Sequence, residues 1–147
     1  MSPRRQAAYL AISEFLAWRD PRIRSYAQYL LRDDPSRYEF AFTTGLRFHS
    51  GRAKPSLRSF PITLVARRRG ARVRLWGHVR PGTGPYRVEV RYRSRGGPSH
   101  RLRLLRTDKQ GYFSLGGRYR GGRRWAARCE LSSGRTLAGP YIHAFSF

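Results

Sequence analysis

The segment YRVEVRYR (86–93) decides the fold of the second half of this chain. Its residues alternate strictly, with charged side chains at 87, 89, 91 and 93 and apolar or aromatic ones between them. A period of two is the pattern of a β-strand that buries one face. The glycine- and proline-rich stretches PGTGP (81–85) and RGGPS (95–99) bound this segment and predict turns.

Comparable short segments lie on both sides of it. They are ARVRLWGHV (71–79), HRLRLL (100–105), YFSL (112–115) and RWAARCEL (124–131). In the last of these, alternation predicts one shared apolar face for Trp125, Ala127, Cys129 and Leu131. Trp76-Gly77 predicts a bend or bulge in the first. We therefore predict an antiparallel, Ig-like β-sandwich over residues 70–147.

The first half has helical periodicity instead. Ser2 is suited to cap a helix that begins with Pro3. Tyr9, Ile12 and Leu16, with Phe15 beside them, recur at helical spacing. Asp20-Pro21 repeats the same start signal. It is followed by apolar residues at i, i+3, i+4 and i+7, namely Ile23, Tyr26, Ala27 and Leu30.

A strand and a short helix are predicted next. YEFAFTTGL (38–46) is aromatic, short and closed by a glycine, and Lys54-Pro55 opens a helix through Phe60. We expect residues 2–60 to be mainly helical with one strand near 40–47, and residues 63–69 to be a linker. The fold class is then α+β. One strand cannot form a sheet alone, so segment 1–62 has the pattern of a piece of a larger α/β body.

Charge raises the question of a polyanionic partner. The chain has 31 basic and eight acidic residues and a formal net charge of +23. Only Lys54 and Lys109 are lysines. This bias favours a genome-wide codon preference over selected polyanion binding, because lysine also serves as a point charge for phosphate. If nucleic acid does bind, the candidate residues are Arg87, Arg91, Arg93, Arg101 and Arg103.

The chain resembles the C-terminal end of cellulase-like (β/α)₈ glycoside hydrolases from high-GC actinobacteria. The residues that carry the resemblance are SPRRQAAYLAISEFLAWRDPRIRSYAQYLLRDDP (2–35), FTTGLRF (42–48) and GRAKPSLRSF (51–60), with WGHVRP (76–81) and RTDKQGYF (106–113) in the second half. The resemblance implies the last barrel helices and strand followed by an accessory sandwich. Its ligand would be a carbohydrate, bound in a cleft lined by Phe42, Thr43 and Thr44.

The resemblance also implies an absence. Retaining enzymes of this kind use two carboxylates about 5 Å apart, and the motif that supplies the nucleophile would precede the first of these runs. Glu14 matches neither position, and we expect it to be a solvated helix residue. No catalytic residue is therefore assigned. In a piece of such a barrel, the apolar residues of segment 1–62, including Leu46 and Phe48, would lack the neighbours on which they pack. We therefore expect this segment to expose an apolar surface and to self-associate through it.

Other chemistries find little support. Cys129 is the only cysteine and falls on an apolar strand face, while Asp33-Asp34 favours a loop role. His49, His78, His100 and His143 lack the spacing of zinc ligands, so we assign no metal and no cofactor. GGRYRGG (116–122) resembles RNA-binding segments, but as a single copy between two strands it favours a hairpin loop.

Targeting signals leave the location open. No apolar run approaches the roughly 20 residues of a membrane span. MSPRRQAAYLAI (1–12) begins like an export signal, but Glu14 and Arg19-Asp20 interrupt the apolar region, which favours a helix start. Proteins of the resembled family are secreted or bound to the cell surface, which for this chain is an expectation only.

Three functions remain open at this point. The first is a glycoside hydrolase fragment that is inactive alone. The second is a carbohydrate- or partner-binding sandwich in which Trp76, Tyr92 or Trp125 stacks on sugars, although each lies in an alternating apolar face and favours the core. The third is a basic nucleic-acid binder.

Overall fold

The computed structural model describes residues 1–35 and 40–146. The chain forms two compact units, Met1–Phe60 and Pro61–Phe147. Within the described ranges, the first unit contains two helices, and the second contains seven strands in two antiparallel sheets. The expected α+β class is confirmed, with most of the regular structure in strands.

Helix α1 (Pro3–Arg19) begins where the sequence predicts it. The Ser2 hydroxyl accepts a hydrogen bond from the Arg5 amide at 3.3 Å, and proline occupies the first turn. The buried face differs from the expected one. Tyr9 and Leu16 are exposed, whereas Glu14 is only 6% exposed, beside Phe15.

The expectation that Glu14 is solvated was therefore wrong. The physical reason is its position on the helix. Glu14 lies four and three residues after the half-buried Leu10 and Ala11, on the same stripe of the helix surface. Of the apolar residues expected on one face of α1, Phe15 is buried and Ile12 half-buried, whereas Tyr9 and Leu16 are exposed.

The second predicted helix was wrong, because no helix follows Asp20 before α2 (Pro55–Ser59) in the described residues. Ile23 and Tyr26, two members of its expected apolar stripe, are 47% and 40% exposed. A short amphipathic helix is marginal in water unless its apolar face packs on a neighbour. In its place the chain runs irregularly to Leu31, whose carbonyl accepts a hydrogen bond from the Arg47 amide at 2.8 Å.

The predicted strand near 40–47 was also wrong, as far as the described residues show it. Residues 38 and 39 of that prediction lie outside the described ranges. Only Arg47 makes bridges, a parallel one with Arg32 and an antiparallel one with Ala53. Leu46 is 4% exposed, so the expectation that it lacks neighbours fails. The short helix after Lys54 is confirmed as α2.

The second unit contains two sheets whose strands alternate along the chain. The strands are β1 (Ile62–Arg69), β2 (Arg72–Val79), β3 (Arg87–Arg93), β4 (His100–Arg106), β5 (Tyr112–Arg118), β6 (Arg124–Glu130) and β7 (Thr136–Ala138). Sheet I has the order β1-β2-β5, and sheet II has the order β4-β3-β6-β7. All pairings between these strands are antiparallel.

One hydrophobic cluster joins the inner faces of the two sheets. Val88 and Val90 of β3 are fully buried, as the period-two pattern predicts, and each such side chain contributes about 1.5–3 kcal/mol of transfer free energy. The other buried members of the cluster are Ile62, Leu64, Ala66, Val73, Leu75, Val79, Phe113, Trp125, Ala127, Cys129 and Leu137.

Three local expectations in this unit need correction. Residues 63–69 are not a linker, because they belong to β1. The segment 116–122 is not a hairpin loop, because Gly116–Arg118 end β5 in sheet I and the chain then crosses to β6 in sheet II. Gly77 marks no bulge, since β2 pairs in an unbroken register with both of its neighbours.

The role of Gly77 is close packing. A Cβ atom there would lie 2.2 Å from Cζ of Phe113 and 2.6 Å from the Thr63 carbonyl oxygen. The bulge in this unit lies elsewhere, between β3 and β4. Val90 pairs with Arg103 and Arg91 pairs with Arg101, which leaves Leu102 as the extra residue.

The last described residues touch both sheets. Ile142 exchanges backbone hydrogen bonds with Trp125 of β6 at 3.0 and 2.8 Å. Phe145 then lies parallel to β1, where its amide donates to the Ala66 carbonyl at 2.9 Å and its carbonyl accepts from the Arg68 amide at 2.7 Å. The segment 142–145 therefore passes from sheet II to sheet I and covers one edge of β1.

Candidate functional site

The outer face of sheet II is the strongest concentration of charge predicted from the sequence. Because Val88 and Val90 point into the core, Arg87, Arg91 and Arg93 must point outward. Residues paired across antiparallel strands share a face, so the register adds residues of β4 and β6 to this set. Alternation along the sequence could not identify these further residues, because it does not give the register between strands.

We call this surface the basic face. It carries seven arginines and two glutamates. The arginines are Arg87, Arg91, Arg93, Arg101, Arg106, Arg124 and Arg128, and the glutamates are Glu89 and Glu130. Like charges stand directly opposite one another at Arg87–Arg106, Arg91–Arg101 and Arg93–Arg124. Such pairs destabilise a sheet, so an anion that neutralises them would bind favourably.

Hydrogen bonds hold the centre of the basic face in place. Arg91 pairs with the Glu89 carboxylate, and its Nε and Nη2 donate to the Ser99 hydroxyl at 2.7 Å and carbonyl at 3.1 Å. The Ser99 hydroxyl also bonds the Tyr141 hydroxyl, and the Arg93 guanidinium lies 4.1 Å above the Tyr141 ring. Glu89, as the bonded partner, raises the pKa of Arg91, which stays charged.

Four of the five arginines assigned from the sequence therefore lie together, and Arg103 does not. Because it pairs with the buried Val90, Arg103 lies on the inner side of the edge strand β4. There it lines a cavity of about 280 Å³ with Leu102 and Leu115. The sequence analysis missed Arg106, Arg124 and Arg128, although Arg124 and Arg128 alternate with the inward residues Trp125, Ala127 and Cys129.

The residues assigned to a sugar cleft lie on the first unit. Phe42, Thr43 and Thr44 are exposed and consecutive, and the Phe42 ring contacts Tyr29 edge to face at 6.3 Å. The Thr44 carbonyl accepts a hydrogen bond from the Gln28 side chain at 3.0 Å. Their role in lining a cleft stays a prediction.

A buried ion pair lies beneath these residues. Lys54 and Asp33 are 2% and 8% exposed, and the Lys54 ammonium donates to Asp33 Oδ1 at 2.7 Å and to the Thr43 carbonyl at 2.8 Å. Asp33 Oδ1 also accepts from the Gly45 amide at 2.9 Å. The sequence analysis missed this pair. The signal in the sequence was the rarity of lysine. A lysine at the predicted start of a helix, in a chain where nearly every other basic residue is arginine, indicates that this position requires lysine.

The aromatic residues considered as sugar platforms lie mainly in the interior. Trp76 and Trp125 are each 1% exposed, and Tyr92 packs partly buried against the core cluster. Neither tryptophan can stack on a sugar ring in this structure. The expectation that they favour the core is confirmed for both.

The remaining candidates for reactive chemistry are dispersed. Cys129 is buried on the inner face of β6, and that burial raises the pKa of its thiol, which disfavours the reactive thiolate. His49 contacts the Asp33 carbonyl oxygen at 3.3 Å, and His78 and His100 stack on Tyr112 and Tyr92. Within residues 1–35 and 40–146, no group of three histidine, cysteine or acidic side chains could hold a metal ion.

Neither helix of the described residues is long and apolar enough to cross a membrane. Comparison with known proteins adds no family to this geometry: no protein-family model, curated protein or solved structure matches the chain.

Proposed function

We propose that this chain is a non-catalytic binding protein whose basic face binds an anionic polymer, nucleic acid in particular. The observation that carries this proposal is the surface composition of sheet II, with seven arginines and two glutamates on one face. A codon preference accounts for arginine in place of lysine. It does not account for the excess of basic over acidic residues, which this face shares with the whole chain of 31 basic and eight acidic residues.

The geometry favours contact with a backbone rather than with bases. The arginines follow three adjacent strands, which lie about 4.8 Å apart, so the charges are spread over a surface instead of converging on one point. Arg87 and Arg128 are exposed, and so is Arg101, whose Nε lies 3.9 Å from Glu89 Oε1. Arg91 and Arg93 are oriented by Ser99 and Tyr141. Contacts of this type position a polymer without reading its sequence.

The test is binding of fluorescent duplexes of two unrelated sequences over a range of salt concentrations. We expect similar affinities for both and a steep loss of affinity with salt. The variant Arg87→Gln/Arg101→Gln/Arg128→Gln removes three charges from the basic face and should reduce the slope of log affinity against log salt by about 2–3.

The matched control is Arg4→Gln/Arg5→Gln/Arg24→Gln, which removes three exposed charges from the first unit. It should change the slope by less than about 1. Equal effects of the two triple variants would show that net charge, and not the basic face, governs binding. No measurable binding at about 50 mM salt would reject the proposal outright.

We also infer that the second unit is Ig-like. Its strand order supports this. In constant-type Ig domains the first, second, fifth and fourth strands form one sheet and the third, sixth and seventh form the other. The order here differs only in β4, which pairs with β3 instead of β5.

A second candidate function follows from the first unit. We propose that it derives from the end of a glycoside hydrolase-like barrel, as its resemblance implies. The supporting observation is that large apolar residues are exposed there, namely Tyr9, Leu16, Trp18, Ile23, Tyr26, Tyr29, Leu31, Phe40 and Phe42. The chain alone should then hydrolyse neither β-glucans nor aryl glycosides. Turnover that is lost in Glu14→Gln would contradict this proposal.

A further inference from the structure

Sheet I carries a second cluster of arginines, on its own outer face. We call it the arginine–glycine pocket and define it by Arg69, Arg72, Arg74 and Arg118 with Gly116 and Gly117. These six residues line a depression of about 640 Å³ together with Arg67, Ala71 and Val73. All six are exposed, and all belong to β1, β2 or β5.

The register explains why the four arginines converge. Arg72 pairs with Arg69 on one side and with Arg118 on the other, so three guanidinium groups lie in one row across the sheet. Arg74 lies two residues further along β2 and therefore points to the same face. None of the three strands contains an aspartate or a glutamate. Directly opposed like charges destabilise a sheet, and no acidic residue of sheet I offsets them.

The glycines leave the centre of this cluster open. Gly116 lies opposite Arg74 on the outer face, and a Cβ atom there would have no other atom within 4 Å. Gly117 lies opposite the buried Val73, so it belongs to the inner side of β5, and a Cβ atom there would also meet no atom within 4 Å. Neither glycine is therefore required by close packing. They lie in β5, which is the edge strand of sheet I, so part of its backbone is available to bind a ligand. Because Gly116 has no side chain on the outer face, that backbone stays accessible beside the guanidinium groups.

We propose that the arginine–glycine pocket binds a compact, multiply charged phosphate group, such as a short phosphoanhydride chain. Guanidinium groups bind phosphate oxygens through paired, charge-assisted hydrogen bonds. Four guanidinium groups around one depression suit a ligand that carries several negative charges in a small volume. A carboxylate, with its single charge, would suit them less well. The site lies on the other sheet from the basic face and does not depend on the function proposed for that face.

The test is calorimetric titration of the full chain with inorganic tripolyphosphate at about 0.15 M salt, where long-range charge effects are largely screened. We expect saturable binding. Arg72→Gln/Arg74→Gln should weaken it by about tenfold or more, the equivalent of losing one or two charge-assisted hydrogen bonds. Arg4→Gln/Arg5→Gln removes the same charge from exposed positions of the first unit, outside both arginine clusters, and should change the affinity by less than about twofold.

A third variant tests the pocket without removing an arginine. Gly116→Glu places a carboxylate opposite Arg74, in open space. It should abolish tripolyphosphate binding and raise the melting temperature, because an opposite charge replaces a repulsive environment. A raised or unchanged melting temperature also shows that this variant is folded.

Two results would overturn the proposal. One is equal weakening by the two double variants, which would mean diffuse attraction to a basic protein. The other is unchanged tripolyphosphate binding in Gly116→Glu. If the variants of the basic face lose duplex binding but still bind tripolyphosphate, the arginine–glycine pocket is a site independent of the basic face.

Discussion

At the scale of single residues, Lys54 is a buried structural residue that the overall basic composition does not reveal. It is one of two lysines among 31 basic residues, and it is buried against Asp33 and the Thr43 carbonyl with its ammonium 5.3 Å from the centre of the Phe48 ring. A compact ammonium with three donors suits two oxygens in a narrow space, whereas a guanidinium directs its donors in a planar fork. Lys54, which departs from the general arginine bias, therefore connects its own segment to Asp33 and to residues 43–45.

Replacement of this lysine should destabilise the first unit. Lys54→Met removes the cation and leaves the Asp33 carboxylate buried without its partner, which should lower the free energy of unfolding by about 3–5 kcal/mol. Urea unfolding of the full chain, followed by the circular dichroism of α1, measures this change. Asp20→Asn is the control, because the Asp20–Arg22 pair is exposed and should contribute little. A loss below about 1 kcal/mol in Lys54→Met would contradict the prediction.

At the scale of elements, alternation predicted β2 to β6 and missed β1. The first five residues of β1, ITLVA (62–66), are all buried, and a strand buried on both faces shows no period of two. The second predicted helix and the strand near 40–47 failed for a different reason, since both depend on packing partners that local sequence does not specify. The basic face was predicted in part, because alternation gives the direction of a side chain but not the register between strands.

Gly77 provides a test of packing between elements of sheet I. In Gly77→Ala the new methyl group would meet the Phe113 ring and the Thr63 carbonyl, so we expect the second unit to lose about 1–3 kcal/mol. Gly117→Ala is the matched control, because its methyl group would meet no atom within 4 Å. It should change stability by less than about 1 kcal/mol.

The buried thiol of Cys129 supplies a specific measurement. Since it is the only cysteine and is 1% exposed, its alkylation rate in mild urea reports opening of the second unit alone. Gly77→Ala should be alkylated faster than the parent chain, and Gly117→Ala at nearly the same rate. Equal alkylation rates in all three proteins would show that the Phe113 ring moves away from the new methyl group with little loss of stability.

At the scale of the whole molecule, the two units present different surfaces. Among their described residues, the first unit exposes nine large apolar side chains besides Met1, whereas the second exposes only Leu102 and Leu104. The seven strands of the second unit share one buried core. We therefore expect the two units to differ in their resistance to proteolysis.

Limited digestion with chymotrypsin, which cleaves after large apolar residues, should reveal this difference. Tyr29, Phe40 and Phe42 are 80%, 82% and 56% exposed and should be cleaved first. A resistant fragment that begins near Pro61 should accumulate, and mass spectrometry identifies its ends. Equal resistance of both units in a monomer would contradict the proposal that the first unit derives from a larger barrel.

The segment 142–145 gives the second unit a direction in which it should resist mechanical force. Phe145 lies parallel to β1, with hydrogen bonds to Ala66 and Arg68 on either side. When tension is applied between Pro61 and the end of this segment, two parallel strands are pulled past each other, so both hydrogen bonds carry the load at once. A hairpin such as β3–β4, pulled from its open end, would instead release its bonds one after another. The chain end therefore acts as a shear clamp, and the rate of forced unfolding should depend on which two residues are held.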